Sequence, residues 1–368
     1  MLTKVIPDSK TRTTRTPGDL LISGTFNSPT NRLYAISNLN NNPDSTINTN
    51  IGSGLNNYVW DGTLYNDKVL LYGFFTTYGT ETAPYFVEIN RNGTFSRKGL
   101  GSAFNGSVRA VIIQPDGKLI CAGTFTSYNT LGANRLIRLN PDFTVDATFN
   151  VGSGIAGTEV NSMVTDGTNL YVVGIFTNYN GTTRNNFIKI RMSDGADITG
   201  TNSGFNGPCY GIGIYGDHLY IGGQTMTNFN GTSIPQNLCK IHKDTLVPDS
   251  TFSTNFAGGT NDRVLITINV DSQYVYFNGN FTSPKANFAR VSHNGTLDAS
   301  FPKVSPAGNV LYNRFIRNST KIAIAGTFTS FNGNINGNRF GVYDTTVGSV
   351  DTNFYVNLNN IGTFVIEF

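Results

Sequence analysis

GKLICAGTFTSYNTLGANRLIRLNPDFTVDATF, residues 117–149, forms one complete unit. An apolar strand ends in Gly-Thr-Phe, a tight turn carries Asn, and a second apolar strand follows. Asn-Pro-Asp then turns the chain into a short closing run. Working outward, the same unit recurs along the whole chain. Its landmark is a glycine followed two residues later by an apolar residue and then Thr or Asn. That glycine falls at Gly24, Gly73, Gly123, Gly174, Gly223, Gly279 and Gly326, at intervals of about 50 residues. Copy five departs from the pattern, with Thr225 where other copies carry the aromatic.

Each copy holds four strand-like runs of alternating or continuous apolar residues, separated by Asp-Gly, Asn-Gly or Pro-Asp turns. PDGK (115–118), WDGT (60–63), TDGT (165–168) and NSTK (318–321) are expected at one joint, between the first and second runs. Helical periodicity of useful length is absent. Four antiparallel strands per copy predict an all-β fold, a seven-bladed β-propeller. Its repeats lie near 18–55, 56–106, 107–157, 158–207, 208–260, 261–307 and 308–358. Copy one lacks a first strand, and the chain runs past copy seven as NNIGTFVIEF (359–368). That tail is expected to be the missing strand, with Phe364 and Ile366 closing the ring against Leu21.

The bulk numbers agree. Charged residues are 13%, against ~25% in ordinary soluble domains, and glycines number 41. A net charge of +3, scattered along the chain, argues against nucleic acid as a partner. No apolar run is long enough to insert in a membrane. Cys121, Cys209 and Cys239 are odd in number and not at CxxC spacing, so buried free thiols are expected. Residues 1–17 form a polar arm outside the repeat and without an apolar h-region. Its Lys4, Lys10, Arg12 and Arg15 are candidate partner-binding residues, the arm being held by a neighbouring chain or, alternatively, by its own propeller.

PDGKLICAGTFTSYNTLGANRLIRLNPDFTVDATF resembles the delta-60 repeat, a family of bacterial and phage β-propeller repeats of uncharacterised function. The PDGK turn, the Gly-x-Phe strand end, the Asn-Arg-Leu strand and the Asp-x-Thr-Phe closer carry the likeness. Copies one, six and seven keep Gly24/Phe26, Gly279/Phe281 and Gly326/Phe328, whereas copy two loses its Asp closer. The resemblance covers residues 18–368 and implies a propeller, with no catalytic residues to carry over.

Candidate chemistry is sparse. His218, His242 and His293 share no metal-ligand spacing and are expected in exposed turns and strand ends. No cofactor or hydrolase motif occurs. Asp44, Asp146, Asp249, Asp298 and Asp351 recur once per copy, which suggests a turn-forming role, the alternative being a ring of acids. Glu88, Arg138, Lys189, Lys240 and Arg290 recur inside the third strand, as a locally paired face or a polar groove. The strings Tyr179-Asn180-Gly181, Phe229-Asn230-Gly231 and Phe331-Asn332-Gly333 are turns, or glycan-stacking platforms. The sequons at Asn92, Asn180, Asn230 and Asn294 mostly coincide with Asn-Gly turns. First strands offer Arg109, Arg263, Arg314 and Asn161 to a central channel.

The expectation is a non-enzymatic structural or adhesion protein, a bacteriophage virion component of the tail or capsid decoration. Its partners would be other subunits of the assembly, or a host glycan. The alternative is a bacterial cell-surface carbohydrate- or protein-binding propeller, extracellular rather than virion-borne. The third reading, a polysaccharide lyase or glycosidase, needs paired carboxylates that the first strands offer less readily than arginines.

Overall fold

The computed structural model describes residues 20–24, 33–36, 44–96, 104–301, 310–316, 321–330, 340–345, 347–351 and 362–367. Lys4, Lys10, Arg12 and Arg15 lie outside them. Strands, not helices, dominate the chain, because each apolar run is short and bounded by turn residues.

Every copy from the second onward contributes an antiparallel sheet in chain order. The second is Val59–Tyr65, Lys68–Gly73 and Phe86–Asn90; the third is Val108–Ile113, Leu119–Gly123 and Leu136–Leu139. Copy four pairs Ile155–Thr165, Asn169–Tyr179 and Phe187–Arg191, and copy five pairs Cys209–Tyr215, His218–Gly223 and Leu238–His242. Copy six joins Val264–Val270, Tyr274–Gly279 and Phe288–Ser292. Copy seven joins Val310–Ile316, Lys321–Gly326, Phe340–Asp344 and the two-residue Ser349–Val350.

In copy one Leu20–Gly24 pairs with Leu33–Ile36 on one side and with Gly362–Glu367, from the far end of the chain, on the other. Leu21 sits opposite Ile366, and Phe364 opposite Ser23. First strands of successive sheets lie against one another from Val59–Tyr65 through Val310–Ile316. Gly362–Glu367 contacts both of those end members, so the inner strands form a closed circuit. Apolar clusters fill the space between adjacent sheets; Phe86 of copy two packs 5.9 Å from Phe143 of copy three, for example.

The landmark glycine has a steric cause. A Cβ on Gly123 would lie 2.0 Å from the Ser107 carbonyl oxygen, on Gly174 2.2 Å from that of Glu159, and on Gly223 2.4 Å from that of Pro208. On Gly279 it would lie 2.2 Å from the Arg263 oxygen, and on Gly73 2.6 Å from that of Tyr58. The residue after the glycine donates its N–H to that carbonyl in copies two, three, five and six, as in Thr124 to Ser107 at 2.9 Å. Only a residue without a side chain lets the two backbones approach this closely. In copy five Thr225 is an extra residue with φ 54°, and Met226 takes the buried slot of Phe125 and Phe176. The Asn237 N–H bonds to Met226 as the Arg135 N–H bonds to Phe125.

Two sequence expectations change. WDGT does not turn the chain: Trp60 to Thr63 lie inside the first strand, and the joint is Asn66-Asp67, both with positive φ between the paired Tyr65 and Lys68. The closing runs are also less strand-like than expected. Among the described residues the fourth strand is a single bridge, as at Leu139 with Val145, or the two-residue pair in copy seven. PDST instead starts helices Ser45–Ile51 and Ser250–Asn255, because Asp44 and Asp249 accept the N–H of Ile47 and Phe252 as N-caps.

Replacing Gly123 by alanine should cost about 3 kcal/mol and lower the melting temperature by about 4 °C for a chain this long, measurable by calorimetry. Deleting residues 362–368 should remove the strand that joins the two ends and lower it by at least about 10 °C. A truncated chain that melts like the parent would contradict the pairing's importance.

Candidate functional site

Register shifts fall in the first strands, opposite the end of the second strand at the landmark glycine. Pairing skips Trp60 between Val59 and Asp61, Arg109 between Val108 and Ala110, Asn161 between Val160 and Ser162, and Tyr210 between Cys209 and Gly211. Each skipped residue is a β-bulge, which re-aims its side chain out of the alternation. The bulges sit at equivalent positions beside the landmark glycines, so their residues gather at one end of the inner circuit as a collar.

Collar side chains touch in sequence around that circuit. The Arg109 guanidinium lies 4.5 Å from the Trp60 ring centroid and 5.6 Å from that of Phe74. It pairs with Glu159 at 2.9 Å and donates to Asn161 Oδ1 at 2.6 Å, while Asn161 Nδ2 donates to the Cys209 carbonyl at 3.0 Å. Tyr58 packs on Phe74 at 4.4 Å, and Arg263 lies 5.9 Å from the Tyr210 ring. Tyr210 donates to Gln224 Oε1, and Gln224 Nε2 to Asp262 Oδ1. Tyr58, Trp60, Phe74, Arg109, Tyr210 and Arg263 are all partly exposed. Burial raises the Tyr58 phenol above its ordinary pKa, with Arg109 partly offsetting the rise. Two buried donors, Trp60 Nε1 and Arg109 Nε, have no acceptor.

Arg109, Arg263 and Asn161 were expected at the channel, and the structure brings them to the collar. The side chain of Arg314 lies outside the described residues. Trp60, Glu159 and Tyr210 were missed: Glu159 stands just before its strand's bulge, and alternation alone does not reveal a bulge. Glu159 also supplies the acid that the first strands seemed to lack.

The recurring aspartates have structural duties. Asp146 and Asp298 each accept the N–H two residues on, from Thr148 at 3.0 Å and Ser300 at 2.8 Å, while Asp44 and Asp249 cap helices. Their other oxygens hold the third-strand cations: Arg138 with Asp146 at 2.7 Å, Lys240 with Asp249 at 2.7 Å, Arg290 with Asp298 at 2.6 Å. Asp351 instead takes Lys321 from the second strand, at 2.5 Å. In copy two the charges are reversed. Glu88 replaces the cation, Ser96 stands for the aspartate and donates to Glu88, and Lys68 supplies the positive charge at 2.8 Å. The paired-face reading of the third strand is therefore right, and no open groove runs along these positions.

Glycan stacking after the second strand is ruled out at Tyr179 and Phe229, because both rings are fully buried. Tyr128 and Tyr179 donate to the carbonyls of Phe143 and Gly195, and Phe229 packs on Phe187 and Phe205. Phe331 lies outside the described residues. The histidines, expected apart and exposed, are half-buried and converge on one rim. His218 lies 5.5 Å from His242, and Tyr220 shares a hydrogen bond with His293 Nδ1 at 2.7 Å. Burial and then the Lys240 ammonium lower the His218 pKa. Among the described residues no cluster of His, Cys, Asp and Glu has metal-binding geometry. Cys121, Cys209 and Cys239 are buried free thiols.

A family model described as a domain of unknown function (DUF5122) beta-propeller matches residues 114–149 and 169–196. The protein is a β-propeller. No curated protein matches this propeller's sequence. A putative 6-phosphogluconolactonase from Bacteroides fragilis is similar in structure, with a TM-score of 0.57 at 12% identity over 97% of this chain and 99% of that one. A protein from Lactobacillus plantarum gives 0.57 at 12% over 96% and 100%. The periplasmic gluconolactonase of Pseudomonas aeruginosa gives 0.51 at 12% over 96% and 99%. Such identities carry the fold alone. They nevertheless correct the expectation of a non-enzyme, because propellers of this shape include enzymes and the fold does not exclude catalysis.

Burial alone would raise the carboxyls of Asp249 and Asp298. Hydrogen bonds outweigh it, from Lys240 and the Phe252 N–H in one case and from Ser300 and Arg290 in the other, so both pKa values fall below the ordinary carboxylate value. On acidification the unfolded chain therefore takes up these protons first. The stability they contribute is complete above about pH 4 and is lost as pH falls below it. Asp298→Asn should lower the melting temperature most near neutral pH, and the gap to the parent should narrow as pH falls below about 4. Thermal melts across that range measure it.

Proposed function

We propose that the protein is a structural, adhesion-type propeller that docks on neighbouring subunits of a virion or other extracellular assembly. In this reading its sheets are the blades of a seven-membered ring, and the tail strand completes the first blade. Stitching between adjacent sheets supports it. Tyr65 donates to the Gly117 carbonyl at 2.8 Å, Arg138 to the carbonyls of Met192 and Ser193, and Lys240 to that of His293 at 3.1 Å. Lys189 pairs with Asp244 of the next sheet at 3.4 Å. Asn50 and Asn255 reach the next copy's turn at Asn92 and Asn294. Side chains that bond one sheet to the next keep a ring from opening under load, which a scaffold or adhesin needs.

A second reading, a surface propeller that binds carbohydrate or protein, is favoured by the collar, where aromatic rings and paired charges remain partly exposed on an otherwise packed inner wall.

Mass spectrometry of purified virus particles and of the surface-exposed protein fraction from the source should find this polypeptide in one of them. Its absence from both would sink the assembly role.

A further inference from the structure

We propose that the collar is a saccharide site, taking one neutral sugar ring at the end of the inner circuit where the first strands begin. The proposal deepens the carbohydrate-binding reading and rests on it. Trp60, Tyr58, Phe74 and Tyr210 give partly exposed aromatic faces, which suit the apolar C–H face of a pyranose. Arg109, paired with Glu159, stands against Trp60 and Phe74, while Gln224, Asp262 and Arg263 stand by Tyr210. Such forked polar groups can donate to or accept from adjacent hydroxyls on a sugar edge.

Charge decides between sugar classes. Arg109, the cation stacked on Trp60, is neutralised by Glu159 at 2.9 Å. Beside the tryptophan no net positive charge is left to attract a polyanion, so a neutral ring is favoured over a uronate, a sialylated chain or a nucleic acid.

The two acceptor-less donors point the same way. Trp60 Nε1 and Arg109 Nε belong to side chains stacked on each other, both on bulges, and neither finds an oxygen within the protein. Buried donors are almost always satisfied in folded proteins, and an exception marks a place for a missing oxygen. A sugar hydroxyl at the edge of the stacked pair, or a water bridging to it, supplies one. Only inner-strand bulges produce this juxtaposition; in regular alternation neither side chain would leave its sheet's packing face.

Trp60 is the single tryptophan of the chain, so its emission reports on the collar alone. The full-length protein should be titrated with glucose, galactose, mannose, N-acetylglucosamine, their β-linked disaccharides and glucono-δ-lactone. At least one sugar should shift Trp60 emission saturably. Arg109→Lys and Glu159→Gln should each weaken that binding by about tenfold or more. Arg191→Ala, which removes an exposed pair with Asp194, should titrate like the parent. Melting temperatures of all three variants separate lost binding from lost folding. No saturable change with any sugar up to about 50 mM overturns the proposal, as do collar variants that fold and bind like the parent. Cleavage of the lactone that depends on Glu159 also overturns it, making the collar catalytic. None of these outcomes bears on whether the protein is found in particles or at the surface, so the two readings fail separately.

Discussion

One close approach organises each sheet: the backbone at the end of the second strand meets the backbone that enters the first. A side chain at Gly123, Gly174 or Gly279 would collide with a carbonyl oxygen within 2.2 Å, so glycine is required there by steric exclusion. The carbonyl is not wasted. In most copies it accepts the N–H of the residue after the glycine, which pins the first strand at that point. The pinned strand then bulges by one residue before regular pairing resumes. The collar is therefore a by-product of the contact that fixes the sheet, and site and fold share one geometric origin.

A second constraint is electrostatic. A charged residue in a middle position of a half-buried sheet must be matched locally, since an isolated buried charge is very costly. The repeat meets this with a third-strand cation and a closing aspartate whose other oxygen orders the turn. Copy two shows that the balance matters more than the identity of the residues. With Glu88 in the strand and Ser96 in the closer, Lys68 restores neutrality from the neighbouring strand. Copy four solves it differently, with Asp197 on Arg184 and Lys189 turned to Asp244 of the next sheet. Local pairs become links between sheets by small changes of partner.

A third device went unseen in the sequence because its two halves lie far apart. Asn56, Asn105, Asn206 and Asn261 each take two backbone N–H groups from the segment after the second strand, as Asn105 does from Thr126 and Ser127 at 2.8 and 2.9 Å. A polar residue just ahead of a strand looks like ordinary turn composition. Its role appears only when the chain returns some twenty residues later.

The repeat, its first three strands and the recurring glycine and aspartate were legible in the residues alone, since short apolar runs, turn formers and spacing are local properties; the closing runs, expected as strands, were not. The pairing of the tail with Leu20–Gly24 was legible too, because a strand pattern without neighbours in its own copy implies a distant partner. Trp60, Glu159 and Tyr210 were not legible as a group, and neither was the convergence of His218, His242 and His293. A bulge depends on how two backbones meet, and a rim cluster on which sheets become neighbours. Alternation predicts which face a side chain takes within a regular strand. Where the close approach at the glycine breaks that alternation, only the folded chain decides what stands beside what.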